Sequence, residues 1–362
     1  MVNSLLYSHL YRWYEANRRI LPWRETEDPY CIWLSEVILQ QTRVAQGMEY
    51  YLRFVSRWRT VEELAAADEA EVLREWQGLG YYSRARNLHK AAQTVVANGW
   101  TPFPKAFDDI RALPGIGDYT AGAIASFAYN MPYPAMDGNV YRVVARLLDI
   151  DEPFDTTAGK KLFHREIEQL LDRSNPRLFN SAIMEFGALC CTPVLGDNCL
   201  TCPLSDVCLA HAHGTAELLP VRKPRPKLKD RWLDYHIYVQ RTMDNGQWTI
   251  NTLLRRRENP KDIWYHLYEF PCEELPDDPT AEGGLTEKRS NSASGLTAQQ
   301  SNSEAVCEFV HVLSHRRLHA RFFVHRVKQL PTLPGTFPVA WAELDGYALS
   351  RLTLRALDSV SP

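Results

Sequence analysis

Five of the chain's eight cysteines fall between Cys190 and Cys208, and this crowding is a direct chemical statement. Cys191, Cys199, Cys202 and Cys208 are separated by seven, two and five residues. Four thiols so close cannot all be satisfied as disulfides in a reducing compartment, and soft sulfur ligands suit zinc or a [4Fe-4S] cluster. Two tight CxxC pairs would favour zinc, whereas one CxxC flanked by longer arms looks more like an iron–sulfur loop. Cys190 is the alternative first ligand, but its side chain would leave a helix about 100° away from that of Cys191; Cys191 is preferred. Cys31, Cys272 and Cys307 are scattered and read as ordinary thiols.

A second constellation begins at Leu113-Pro114-Gly115-Ile116-Gly117. Gly115 and Gly117 allow a tight turn with exposed amides beside the positive end of the next helix, an arrangement that holds phosphate without reading sequence. With the small residues of Tyr119-Thr120-Ala121-Gly122-Ala123 after it, the turn is the signature of a helix-hairpin-helix motif. Asp137 follows at the mouth of the next helix, where an N-cap is the simplest use for it. Glu36 stands on a strongly apolar helix, between Ile32 and Trp33 on one side and Leu39 on the other, so its pKa should be raised and its proton kept near neutrality. Leu79, between Gly78 and Gly80, suits either an apolar wedge or a loop anchor.

The elements that must position these groups follow from periodicity. From Ser4 to about His213 apolar residues recur at helical spacing between Pro-, Gly- and Asp-rich turns, which predicts helices over 32–48, 83–98, 119–129, 138–148 and 177–189. The stretch 214–231, with its prolines and basic residues, reads as a linker. Beyond it, 235–240 and 248–254 are β-rich runs around Asp244-Asn245-Gly246, a hairpin signal. The expected architecture is an all-α domain over 1–213 with the hairpin motif near 106–129 and the cysteine loop at 191–208, then a mixed α/β domain over 232–360. A disordered insertion is expected at about 274–304, which is nearly free of large apolar residues. The formal net charge is -3, weak ground for a nucleic-acid partner. Yet Cys272 to Ala305 carries seven acids against two bases, so the remainder is mildly basic. With 45% apolar and 23% charged residues, no run long enough for a membrane helix and no visible secretion signal, the chain reads as soluble.

Hairpin, downstream aspartate and cysteine loop, in that order, resemble the helix-hairpin-helix superfamily of base-excision glycosylases that includes endonuclease III. Bifunctional members place a Schiff-base lysine where this chain has Tyr119. The tyrosine, together with Leu21-Pro22-Trp23-Arg24, Trp33 to Thr42, Gly78-Leu79-Gly80-Tyr81-Tyr82 and Met184-Glu185-Phe186-Gly187-Ala188, is similar to the MutY branch, which excises adenine. The second domain resembles the Nudix-like recognition domain of that branch, without the acidic box of a Nudix hydrolase. The seven-residue first cysteine gap departs from the family's six, and an expansion around Gly196-Asp197 would absorb it.

The resemblance implies a monofunctional adenine glycosylase acting on adenine opposite 8-oxoguanine or guanine in duplex DNA. Glu36 would protonate the flipped adenine and later handle the water. Asp137 would face the developing sugar cation as electrostatic stabiliser or transient nucleophile, with Tyr119 orienting it and Asn139 adding a polar contact. Trp23, Arg24, Arg19 and Glu185 match residues lining the adenine pocket, and Gln41, Leu79 and Tyr81 match intercalating residues. Ser314 and His315 match the reader of the oxidised guanine, with Leu313 replacing the usual aromatic. Gly115 and Gly117 would hold DNA backbone, and Cys191, Cys199, Cys202 and Cys208 a [4Fe-4S] cluster. A monomer in the bacterial cytosol is expected. The rivals are a thymine-mismatch glycosylase and an endonuclease III-like enzyme; Tyr119 and the second domain speak against the latter.

Overall fold

The computed structural model describes residues 2–224, 227–244, 246–276 and 305–360. They form two compact units: Met1–Ala67 with Arg86–Pro224, and Asp68–Ala85 with Arg225–Pro362.

In chain order the helices are α1 (Val2–Asn17), α2 (Pro29–Leu39), α3 (Val44–Arg57), α4 (Val61–Ala66), α5 (Glu69–Glu75), α6 (Ser83–Ala97), α7 (Phe107–Ala112), α8 (Asp118–Tyr129), α9 (Gly138–Leu147), α10 (Thr157–Leu170), α11 (Pro176–Leu189) and α12 (Leu209–His213). Asp28 caps α2 by accepting from the Tyr30 amide, with Pro29 at its first position. Ile32, Trp33, Leu34, Val37 and Ile38 are all buried, so α2 is apolar all round and lies inside, against α3 and α8. The single helix expected over 32–48 is in fact two. The chain leaves α2 at Leu39, Gln41 takes a left-handed φ of 57°, and α3 starts at Val44. Apolar spacing runs on across the break, which is why periodicity alone does not reveal it.

Small residues set the closest approaches. A Cβ on Gly122 of α8 would lie 2.2 Å from the Pro134 carbonyl oxygen, and one on Gly187 of α11 would lie 2.8 Å from Asn139 Cβ. A core of Leu6 and Leu10, Val140 and Val144, Phe163, Phe179, Ile183 and Phe186 ties α1, α9, α10 and α11 together, with the cysteine loop packed on its edge. Each such side chain contributes about 1.5–3 kcal/mol by leaving water.

The second unit is built on a sheet of strands β1 (Lys229–Asp244), β2 (Gln247–Arg256), β3 (Tyr268–Glu269), β4 (Cys272–Leu275), β5 (Ala305–Val312), β6 (Arg316–Val327) and β7 (Thr336–Ala340), followed by helix α13 (Arg351–Ser359). The order is β3-β2-β1-β6-β5, with β4 on β1 and β7 on β2. β1 and β6 run parallel; β1 and β2 form the expected hairpin, pairing Asp244 with Gln247, while Asn245 lies outside the described residues. Leu233, Tyr235, Ile237 and Val239 alternate into the core. Of the insertion expected at about 274–304, Glu274 and Leu275 instead belong to β4, paired with Leu233 and Trp232. Residues 277–304 lie outside the described residues.

Candidate active site

A cavity of about 560 Å3 in the first unit gathers the four expected catalytic residues and five of those expected to bind the substrate. α2 supplies Glu36, the break after it supplies Gln41, α8 supplies Tyr119, and the start of α9 supplies Asp137 and Asn139. Arg19, Trp23 and Arg24 of the one-turn 3-10 helix Pro22–Arg24, and Glu185 of α11 line it as well. Trp23 is buried there, edge-on to Tyr51 at 5.0 Å. Arg24 stacks its guanidinium over Phe127 at 3.9 Å.

Glu36 is only 4% exposed, and burial raises its pKa, helped slightly by Asp137 and opposed by Arg24 and a hydrogen bond. That bond is donated by the Tyr119 hydroxyl to Glu36 Oε2. Tyr119 was expected to orient Asp137, and here the structure corrects the sequence: the hydroxyl serves Glu36. Asp137 is held from its own helix. Its Oδ1 accepts from the Asn139 and Val140 amides at 2.9 and 2.8 Å, and its Oδ2 accepts from Asn139 Nδ2 at 2.7 Å. It is thus both N-cap and cavity wall. Burial nevertheless lifts the Asp137 pKa above the ordinary range, against those three bonds and the charge of Arg142; the helix N-terminus alone does not keep it fully acidic. Glu185 goes the other way. Burial pulls it up, but the bonds from Arg19 Nε at 2.6 Å, Nη2 at 2.7 Å and its amide at 3.0 Å hold the carboxyl below the usual range.

Arg142, which no motif singled out, and Gly187, which entered only as part of the Met184–Ala188 segment, brace this arrangement. Arg142, on α9, donates to Asn139 Oδ1 at 2.9 Å, the Gly187 carbonyl at 2.6 Å and the Cys191 carbonyl at 2.7 Å. It joins the clamp on Asp137 to the cysteine loop. Gly187 permits that approach, because a side chain would strike Asn139. The signal in sequence is the Asn139-to-Arg142 spacing of one helical turn; its partners come from a distant segment.

All five clustered cysteines are free thiols and line one small cavity, with Leu147, Phe186, Leu195 and Leu204 around them. Arg146 Nη1 lies 3.3 Å from Cys191 Sγ and 2.8 Å from the Thr192 carbonyl. Among the described residues, no three His, Cys, Asp or Glu side chains gather closely enough for a single metal ion. A sulfur-lined, largely apolar pocket with a cation at one thiol suits thiolate ligation. Cys190 and Cys191 both line it, so the choice of first ligand stays open. Gly196, at φ 50°, opens the one-turn helix Gly196–Cys199 where the longer gap was expected to be absorbed.

The hairpin turn lies between α7 and α8 as expected. Gly115 has φ 79°, and a Cβ there would meet Asn87 Cβ at 2.7 Å. Gly117 caps α8 in extended conformation and faces open space. Leu79 and Tyr81 belong to the second unit, in a loop where Gly78, Gly80 and Tyr81 all have positive φ. Leu79 is buried and Tyr81 is 42% exposed, so in the free protein Leu79 anchors its loop. Ser314 and His315 are exposed at the tip of the β5–β6 hairpin, with Ser314 Oγ 3.1 Å from His315 Nδ1.

Residues 34–171 match the model of the HhH-GPD superfamily base excision DNA repair proteins, and residues 243–359 match that of the NUDIX domain. An adenine DNA glycosylase of Buchnera aphidicola is 32% identical over 308 residues, which cover 85% of this chain and 82% of that protein. The chain belongs to the MutY-type adenine DNA glycosylase family. The Nudix-like C-terminal domain expected of that family is present as the β1–β7 sheet. The adenine DNA glycosylase of Mus musculus is 38% identical over 233 residues, 62% of this chain but 45% of that one, so the chain spans less than half the length of some relatives it matches. Among solved structures, a thermostable thymine-DNA glycosylase superposes with a TM-score of 0.53 at 25% identity, over 59% of this chain and 97% of that one. Its match is to the helical fold.

Proposed function

We propose that this MutY-type protein hydrolyses the N-glycosidic bond of adenine mispaired with 8-oxoguanine, or with guanine, in duplex DNA, as a step of base excision repair. The observation that carries the reading is a pair of carboxyl groups, Glu36 and Asp137, facing one cavity of about 560 Å3 and held by different partners, in a volume suited to an extruded nucleoside.

Glu36, kept protonated by burial, gives its proton to N7 of the flipped adenine. The C1′–N9 bond then breaks with its electron pair moving into the base, which leaves neutral. Asp137 faces the sugar cation. Its anion is costly in the buried ground state and is compensated as positive charge develops at the sugar, so it favours the transition state over the bound substrate. The Glu36 carboxylate next takes a proton from the water whose oxygen adds to C1′. Tyr119 holds Glu36 and offers no amine for Schiff-base chemistry, so strand cleavage does not follow.

Trp23, Arg24, Arg19 and Glu185 shape the adenine pocket, the last two as a fixed ion pair. Gln41 enters the vacated stack from the cavity rim, with Leu79 and Tyr81 as further intercalating residues. Gly115 and Gly117 hold backbone phosphate, and Ser314 and His315 read the oxidised guanine. Cys191, Cys199, Cys202 and Cys208 hold a [4Fe-4S] cluster, which supplies a covalent staple for the loop between α11 and α12. We assign residues 1–213 to the glycosylase domain, 214–231 to the linker and 232–360 to the recognition domain, in a monomer acting in the bacterial cytosol. Among the described residues, no helix is long and apolar enough to cross a membrane.

The test uses duplexes carrying adenine opposite 8-oxoguanine or guanine, and thymine opposite guanine, incubated with the protein with and without subsequent alkali. Breaks on the adenine strand only after alkali are expected. Release of thymine instead, or breaks without alkali, would overturn the assignment.

A further inference from the structure

A second cavity, of about 460 Å3, begins one residue past the hairpin turn, at Asp118, and reaches α10. Phe107 and Tyr133 stack as one of its walls, with ring centres 3.9 Å apart and planes within 6°. Lys160, Lys161 and His164 of α10 line it, with Glu168 further along the same helix. Nothing in the excision chemistry uses them. The carboxylate of Asp118 is paired with Arg111 at 2.6 Å. Both lysines are exposed, and among the described residues neither makes an ion pair.

Their placement runs against helix stability. α10 has no acidic residue in its first turn, and Lys160 is its fourth residue, near the end where the helix dipole favours an anion and disfavours a cation. Neither packing nor local pairing accounts for two lysines there.

We propose that Lys160 and Lys161, assisted by His164, hold phosphates of the DNA flank beyond the hairpin contact. The inference rests on the reading above that the substrate is duplex DNA. Asp118, the residue after Gly117, and the two lysines line the same cavity, so a strand held at the Gly115–Gly117 turn has this cationic wall beside it for a neighbouring phosphate. The contact is blind to sequence and sets affinity without touching the chemistry.

The experiment measures binding of wild type, K160A/K161A and K160R/K161R to a duplex containing 2′-fluoro-adenosine opposite 8-oxoguanine, which resists glycosidic cleavage, over a range of salt concentrations. Two lost phosphate contacts should reduce the slope of log K against log salt by about 1.8, so the affinity deficit of the alanine variant shrinks roughly tenfold over a fourfold rise in salt. The arginine variant should retain the wild-type slope, and single-turnover excision at saturating enzyme should be equal in all three. Shortening the duplex from one end only should abolish the difference. An unchanged slope in K160A/K161A, or a deficit that persists whichever end is shortened, overturns the inference. Failure of wild type to bind any duplex overturns both this and the proposed function. Binding of the 2′-fluoro duplex without adenine release from the same duplex carrying ordinary deoxyadenosine overturns the proposed function alone, since the slope comparison still decides the lysines.

Discussion

Glu36 and Asp137 are pushed in the same direction by burial and pulled back by different neighbours, a difference that kinetics can read. If Glu36 must be protonated and Asp137 ionised, excision follows a bell-shaped pH profile, its acid limb set by Asp137 and its alkaline limb by Glu36. The Tyr119 bond favours the Glu36 anion, so Tyr119→Phe should raise that pKa further and move the alkaline limb to higher pH. The Asn139 side chain favours the Asp137 anion, so Asn139→Ala should move the acid limb to higher pH. Single-turnover rates across pH check both. Glu36→Gln should lower excision by about 10²–10⁴-fold while DNA binding persists. Since the Glu36 pKa is raised in the fold, its stabilising effect is present below the ordinary carboxylate range and lost as pH rises through the raised value. The glutamine variant should therefore gain stability relative to wild type with rising pH, as denaturant midpoints would show. The environment of Glu36 was legible in its apolar neighbours on α2. The partner of Tyr119 was not, because that bond joins residues 83 apart in sequence and depends on how α2 packs on α8.

At the scale of elements, the hairpin is the most exacting piece. Gly115→Ala combines a left-handed φ with a 2.7 Å encounter with Asn87, and should cost about 1–3 kcal/mol. It should weaken binding to mispaired and matched duplexes alike, as titrations with both would reveal. The cysteine loop offers a second measurement: iron and sulfide analysis of Cys190→Ser and Cys191→Ser. Full loading in the first and depleted loading in the second would fix Cys191 as ligand, and the reverse would fix Cys190. The start of α11 was readable from the Asn175-Pro176 pair that caps it, whereas α2 begins at Pro29 behind its Asp28 cap, three residues before the start expected at 32. The break at Gln41 was not readable, since Gln-Gln-Thr carries neither Gly nor Pro to mark the left-handed turn there.

For the whole molecule, the residues proposed for excision and those proposed for recognition lie in separate units, Glu36 and Asp137 in the first, Ser314 and His315 in the second. Replacing Ser314 and His315 together with alanine should erase most of the preference for 8-oxoguanine over guanine opposite adenine. Excision from the adenine–guanine duplex should change little, and comparing KM and single-turnover rates on the two duplexes tests this. Two domains of different class were legible from the switch in periodicity near the proline- and lysine-rich 220–231 stretch. That Asp68–Ala85 groups with the second unit was not, because its helical pattern is of a piece with its sequence neighbours. Gly187 carries a consequence for the gene as well as the protein. Every single-nucleotide missense change in a glycine codon installs a β-carbon, and here each would collide with Asn139, so this codon has no silent refuge among amino-acid replacements and should be intolerant to substitution in a saturation screen for mutation avoidance.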